Sequence, residues 1–202
     1  MPKVKIKRKS TSTDMTAMCD VAFLLLTFFI LTATARQPEA LAVDTPSSTV
    51  KTKVPDADIS MLTIGQGKVF FGVVGQDVRA KTLQKMGEQY KISFTPEETK
   101  RFALIESFGV PIANLKQYIA LDNADRMKLV QPGIPTDSID NQLNAWILQA
   151  RYATKELHGN ELRFTLKGDS KEEYPTIKKI IAVLQEQKIN KFSLITSLEG
   201  DN

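Results

Sequence analysis

The chain has 202 residues, with 27 Lys and Arg against 23 Asp and Glu, for a net charge of +4. That length accommodates one membrane anchor and one globular domain with a core large enough to fold without staples. The single cysteine, Cys19, excludes an intrachain disulfide and any multi-cysteine metal site.

The positive charge is local. Lys3, Lys5, Lys7, Arg8 and Lys9 supply five of the basic residues, leaving 22 against 23 acidic ones in the remainder. A nucleic-acid binder spreads its basic surface over a folded domain, so nucleic acid is not an expected partner. A basic arm ahead of an apolar run instead faces the cytoplasm and its anionic lipids. Residues 1–16 are therefore expected to form a basic cytoplasmic segment, and residues 17–35 a transmembrane helix. Nineteen residues at 1.5 Å each reach about 28 Å, enough to cross the hydrocarbon core. The positive-inside rule places the N-terminus in the cytoplasm and the residues after Arg36 outside. A cleavable signal peptide is the competing reading, with Ala33-Thr34-Ala35 as its cleavage site. Asp20, where the apolar core would begin, and the long polar stretch before it argue against cleavage.

Asp20 is the most informative residue of the chain. An acid in a membrane helix costs roughly 2.5–3.5 kcal/mol at the bilayer centre, so such residues mark proton relays, ion paths or buried pairs. Lipid disfavours the carboxylate against the neutral acid, so the group can load and release a proton. Protonation changes how the helix docks, which couples a gradient to motion. A single helix cannot enclose a proton path in lipid, so a multi-pass membrane partner is implied. Thr16, one turn before Asp20, and Thr27 and Thr34, at seven-residue spacing after it, extend a polar seam on the same face. Their hydroxyls can bond a neighbouring helix or bond back to their own.

Residues 36–58 read as a flexible linker, with Pro38, Pro46 and Pro55 and the polar run 45–49. Fully extended, they reach about 75 Å. Residues 59–202 read as an α+β domain. Ile59–Ile64 and Lys68–Val74 are expected strands around the Gly65-Gln66-Gly67 turn, followed by a helix over Asp77–Tyr90. Thr95-Pro96-Glu97-Glu98 starts a helix that continues through Thr99–Phe108, with a short helix next over Asn114–Asp122. Pro132, Gly133 and Pro135 break the chain before a helix over Thr136–Lys155. The close is a strand at Leu162–Lys167, an amphipathic helix at Tyr174–Gln187 with Ile177, Ile180, Ile181 and Leu184 on its buried face, and a strand at Lys191–Thr196. This strand–helix–strand predicts helices packed on a small mixed sheet.

The domain offers little catalytic chemistry, and no enzyme activity, cofactor or metal is expected. His158, the sole histidine, reads as a helix-end residue. Asp169, Glu172 and Glu173 read as acids favouring a helix N-terminus, and Trp146 as core.

Two segments together resemble the ExbD/TolR family of ion-driven envelope motors. The first is Asp14-Met15-Thr16-Ala17-Met18-Cys19-Asp20-Val21 with the run Ala22–Phe29, where Asp20 matches the family's membrane aspartate and Thr16 the threonine four residues before it. The second is Leu162–Asp169, then Tyr174, Ile177, Ile181 and Leu184, closing on Ile189–Thr196. Ala17 stands where the family usually has proline, and the middle, about 85–135, is longer than in ordinary members. The resemblance implies a periplasmic α+β domain on an inner-membrane anchor, and a homodimer inside an ExbB/TolQ-like multi-pass partner. It also implies a TonB-like or TolA-like recipient of the work and a peptidoglycan contact in a Gram-negative type envelope. Asp20 would carry the proton. The expected function is that of an ExbD-like subunit energising TonB-dependent outer-membrane transport. Its alternatives are a TolR-like subunit for envelope integrity and a non-energising single-pass anchor or peptidoglycan-binding module.

Overall fold

The computed structural model describes residues 15–33, 41, 43–48, 57–137, 140–195 and 197–198. Two units emerge, Met1–Gln37 and Pro38–Asn202.

The first unit contains one helix, α1 (Met15–Thr32), with a mean hydropathy of 2.0. Its 18 residues hold neither Gly nor Pro and are dominated by Leu and Phe, so nothing interrupts the ladder. At 1.5 Å per residue it is about 27 Å long, which suits a bilayer core. None of its residues is buried within the chain. The helix starts two residues before the expected Ala17 and ends at Thr32; Ala33 is non-helical.

The second unit is built on a five-stranded mixed sheet whose strands lie in the order β4 (Ser107–Phe108), β3 (Lys68–Val73), β2 (Ile59–Gly65), β5 (Arg163–Gly168) and β6 (Phe192–Ile195). A two-residue strand β1 (Ser47–Ser48) pairs in parallel with β7 (Ser197–Leu198), apart from that sheet. Strands β2 (Ile59–Gly65) and β3 (Lys68–Val73) form an antiparallel hairpin. Its turn residues Gln66 and Gly67 both have positive φ, at 55° and 69°. That is the turn geometry whose twist matches paired strands. Strand β5 (Arg163–Gly168) lies parallel to β2 on one side and to β6 (Phe192–Ile195) on the other. β2 and β3 are buried along almost their whole length, as central strands covered on both faces are.

Helices α2 (Gln76–Tyr90) and α6 (Gln142–His158) pack against each other, and α6 also touches β3 and α7 (Tyr174–Glu186). Glu156 of α6 takes both Lys81 and Lys85 of α2, at 2.7 and 2.9 Å. Hydrogen bonds from Lys81 and then Lys85 lower its carboxyl pKa to about 2. On α7 the fully buried face is Ile180, Val183 and Leu184, while Ile177 and Ile181 pack at its margin.

The middle segment departs from expectation. Helix α3 (Pro96–Ala103) stops at Leu104 instead of running to Phe108. Ser107 and Phe108 form β4, which pairs with β3 through Gly72 and Phe71. Burying Phe108 against Phe71, Phe102 and Trp146 outweighs another turn of exposed helix. Gly72 is required there, because a methyl group would run into the Glu106 carbonyl. A 3-10 turn at Ile112–Asn114 leads into α4 (Leu115–Ala120), and α5 (Asn123–Lys128) follows where no helix was expected. Gln131, buried, accepts from Gly109 N at 2.6 Å and donates to the Tyr118 hydroxyl at 3.1 Å. Helix α6 begins at Gln142 instead of Thr136. The Asn141 side chain caps Asn144 N at 3.0 Å, and Gln142 Oε1 accepts from Ile112 N at 2.9 Å.

Thr95 caps α3 in a reciprocal box: its hydroxyl accepts from Glu98 N at 3.2 Å, and Glu98 accepts from Thr95 N at 2.7 Å. Thr95→Ala is expected to cost about 1 kcal/mol, read from a urea melt of the full chain in detergent. A cost near zero would mean that α3 is held by packing alone.

Part of the segment expected to be a free linker lies on the domain. Leu41 and Val43 pack over Gly65, and the Asp44 carbonyl accepts from Ser170 N at 2.8 Å.

Candidate functional site

Two sites stand out. The first is the polar face of α1. Asp20 is the only Asp, Glu, Lys or Arg among residues 15–33, and it is exposed on the helix surface. Thr16 lies one turn before it and Thr27 two turns after it, on the same face. The Thr27 hydroxyl points back into its own helix, 3.0 Å from both the Phe23 and Leu24 carbonyls. Thr32, outside the seam, does the same to Phe28 at 2.7 Å. Thr27 thus needs no external partner, which leaves Asp20 as the group on this face that demands one. Thr34 lies outside the described residues.

The second site was invisible in the sequence. His158, expected to be a simple helix-end residue, is clamped between two carboxylates. Its Nδ1 meets Asp58 Oδ1, and its Nε2 meets Asp77 Oδ2 at 2.8 Å. Asn160 Nδ2 donates to the other Asp58 oxygen at 2.8 Å. The four residues tie the start of β2, the first turn of α2 and the end of α6 together. A cation at the C-terminus of α6 and an acid in the first turn of α2 also suit the two helix dipoles. Asp58 sits at φ 56°, a left-handed conformation that Asp tolerates better than most residues. The two aspartates are 100 and 81 residues away from His158, so no local motif announces the clamp.

Hydrogen bonds to Asp58 and then to Asp77 raise the His158 pKa above its ordinary 6.5. The bond to His158 is likewise the leading reason that both carboxyls fall below 3.8. The histidine's contribution to stability is fully present below its ordinary value and is lost as pH rises through the raised one. The carboxylates contribute above their ordinary value and lose that contribution as pH falls through the lowered ones. The clamp is therefore strongest between roughly pH 4 and 6.5. Wild-type stability should decline as pH rises above that window, and His158→Ala should flatten this decline in thermal melts of the full chain. Equal slopes for the two proteins would show that the imidazolium contributes nothing.

The two nitrogens of His158 face opposite carboxylates, so this cluster does not converge on one point. Among the described residues, no group of three His, Cys, Asp or Glu side chains is placed to hold a metal ion. Glu172, expected to favour a helix N-terminus, instead accepts from Gly67 N at 3.2 and 3.1 Å and pins the β2–β3 turn. Asp169 accepts from Lys171 N at 3.0 Å, and Glu173 precedes α7 without capping it. Trp146 is fully buried, as expected.

Among the described residues one helix is long and apolar enough to cross a membrane, carries one acid and precedes helices packed on a mixed sheet, the layout of a single-pass, membrane-anchored protein. The family model for biopolymer transport protein ExbD/TolR matches residues 7–199. The chain belongs to the ExbD/TolR family, a family of non-enzymatic biopolymer transport proteins that work with membrane partners of the ExbB/TolQ kind. The match includes the long middle segment as well as the two ends that carried the sequence resemblance. No curated protein and no solved structure matches the chain.

Proposed function

We propose that this chain is the ExbD-like subunit of a proton-driven motor in the inner membrane. With an ExbB/TolQ-like multi-pass partner it energises a TonB-like protein, and through it transport across the outer membrane. Asp20 carries the proton; Thr16, Thr27 and Thr34 form the seam beside it. Residues 1–16 lie in the cytoplasm, 17–35 span the membrane, 36–58 join the two parts with some of that stretch held on the domain, and 59–202 work in the periplasm. There they pair as a homodimer and contact peptidoglycan.

The observation that carries this reading is the lone acid on the exposed face of α1. A carboxyl facing lipid is costly, and one helix cannot satisfy it or enclose a path for its proton. Partner helices resolve both problems. Loading the proton removes the charge and lets the helix re-dock, and releasing it restores the charge. The five basic residues ahead of α1 support the cytoplasmic placement of the N-terminus.

Carbodiimide labelling tests the reading, because dicyclohexylcarbodiimide reacts with a protonated carboxyl in an apolar site. In membranes containing the multi-pass partner, Asp20 should be modified, less so as pH rises, and the Asp20→Asn chain should not. No modification of Asp20 at any pH would contradict the proposal. A TolR-like role is separated by phenotype: loss of the chain would then produce detergent sensitivity with TonB-dependent uptake intact.

A further inference from the structure

The His158 clamp does more than add a pH-dependent increment of stability. Each ring nitrogen faces a carboxylate, Nδ1 that of Asp58 and Nε2 that of Asp77. An ionised carboxylate only accepts, so both bonds need an N–H, and only the imidazolium has two. A neutral ring has one. Its other nitrogen turns a lone pair on a carboxylate, and that bond is lost. The clamp therefore cannot fade evenly as the proton leaves: one arm holds and the other lets go.

The surroundings decide which arm. The Asp58 side chain is 13% exposed and that of Asp77 56%. Asn160 Nδ2 also holds Asp58, at 2.8 Å. Freed from the ring, Asp58 would be left largely out of water with one partner, whereas Asp77 can turn to solvent. The other charges along this joint are engaged or turned outward. Lys81 on α2 pairs with Glu156 on α6 at 2.7 Å, and Lys155 and Glu161 are exposed.

Losing the Asp77 arm frees a defined piece of the fold. Asp77 lies in the first turn of α2, just after Gly75, whose φ of 101° suits glycine. Further along, Lys81 and Lys85 keep α2 on α6 through Glu156. The first turn can lift at Gly75 while the rest of the helix stays in place.

We infer that His158 is a two-position latch: protonated, it ties the first turn of α2 to the start of β2, and neutral, it keeps its one N–H at Nδ1 for Asp58 and releases Asp77 with that turn. Its two carboxylate bonds raise the ring's pKa above 6.5, so the latch is closed in acid and opens as pH rises through the raised value. The latch belongs to the domain and does not depend on Asp20.

His158 is the chain's only histidine, so ring 15N spectra of the full chain in detergent report it alone. Free neutral imidazole favours the proton on Nε2. The latch predicts the other tautomer, Nδ1–H, once the ring has titrated. Hydrogen exchange, corrected for its intrinsic pH dependence, is read across the same titration. Protection of the Arg79, Ala80 and Lys81 amides should fall at least about fivefold while β2 is unchanged. In Asp77→Ala these amides should be as weakly protected in acid as the wild type's are in alkali, and should no longer respond to pH. Asp20→Asn should behave like the wild type, so failure of the latch and failure of the proton role are distinguishable. A neutral ring with its proton on Nε2, or protection lost at the start of β2 instead of α2, would overturn the proposal by reversing the arm that holds. Unchanged protection of the three amides while the ring titrates would overturn it by making the clamp a static tie.

Discussion

Trp146→Ala is expected to destabilise the domain by about 3–5 kcal/mol, the cost of emptying a buried aromatic site. Trp146 is completely buried at the meeting point of four elements. Its ring stacks on Phe102 of α3 at 5.9 Å, meets Phe108 of β4 edge-on at 4.9 Å, and lies 6.1 Å from Phe71 of β3. Helix α6 brings the indole to the place where the middle segment joins the sheet. Removing it leaves a cavity and loosens α3 and β4 together. The thermal midpoint of the full chain in detergent should fall by roughly 10 °C. Trp146→Phe should cost less than half as much, since it keeps a ring and removes an indole N–H that has no acceptor. A loss under about 1 kcal/mol for the alanine variant would show that the middle segment is not anchored through this cluster.

The two ends of the chain were legible because their signals are local. A basic arm, an uninterrupted Leu/Phe run and one acid define α1 without reference to anything distant. Gln66-Gly67 between alternating apolar residues announced the β2–β3 hairpin, and Thr95-Pro96 with Glu98 announced the start of α3. The closing strand–helix–strand showed itself through the spacing of Ile177, Ile180, Ile181 and Leu184. What escaped depends on long-range packing. Phe108 reads as the end of a helix until β3 supplies an edge for it, and Gln142 reads as mid-helix until Ile112 N claims its side chain. The His158 clamp escaped for the same reason. A lone histidine after a helix carries no signal that aspartates about a hundred residues away in sequence close on both of its nitrogens. On α1 the sequence pattern left open how the threonine hydroxyls are satisfied: Thr27 bonds its own helix.

Asp20→Asn is expected to abolish gradient-driven work while leaving the protein inserted and assembled. Asparagine keeps the size and most of the hydrogen bonding of the protonated acid but cannot ionise. A role limited to packing or anchoring would survive the exchange, whereas a role in loading and releasing a proton would not. Asp20→Glu keeps the ionisable group one methylene further out and should retain partial activity. The decisive measurement takes TonB-dependent uptake and co-purification of the multi-pass partner from the same cells carrying Asp20→Asn. The account predicts uptake at the level of cells lacking the chain, with the partner recovered as for the wild type. Wild-type uptake in the Asp20→Asn cells would contradict it and would make this chain a tethered binding module.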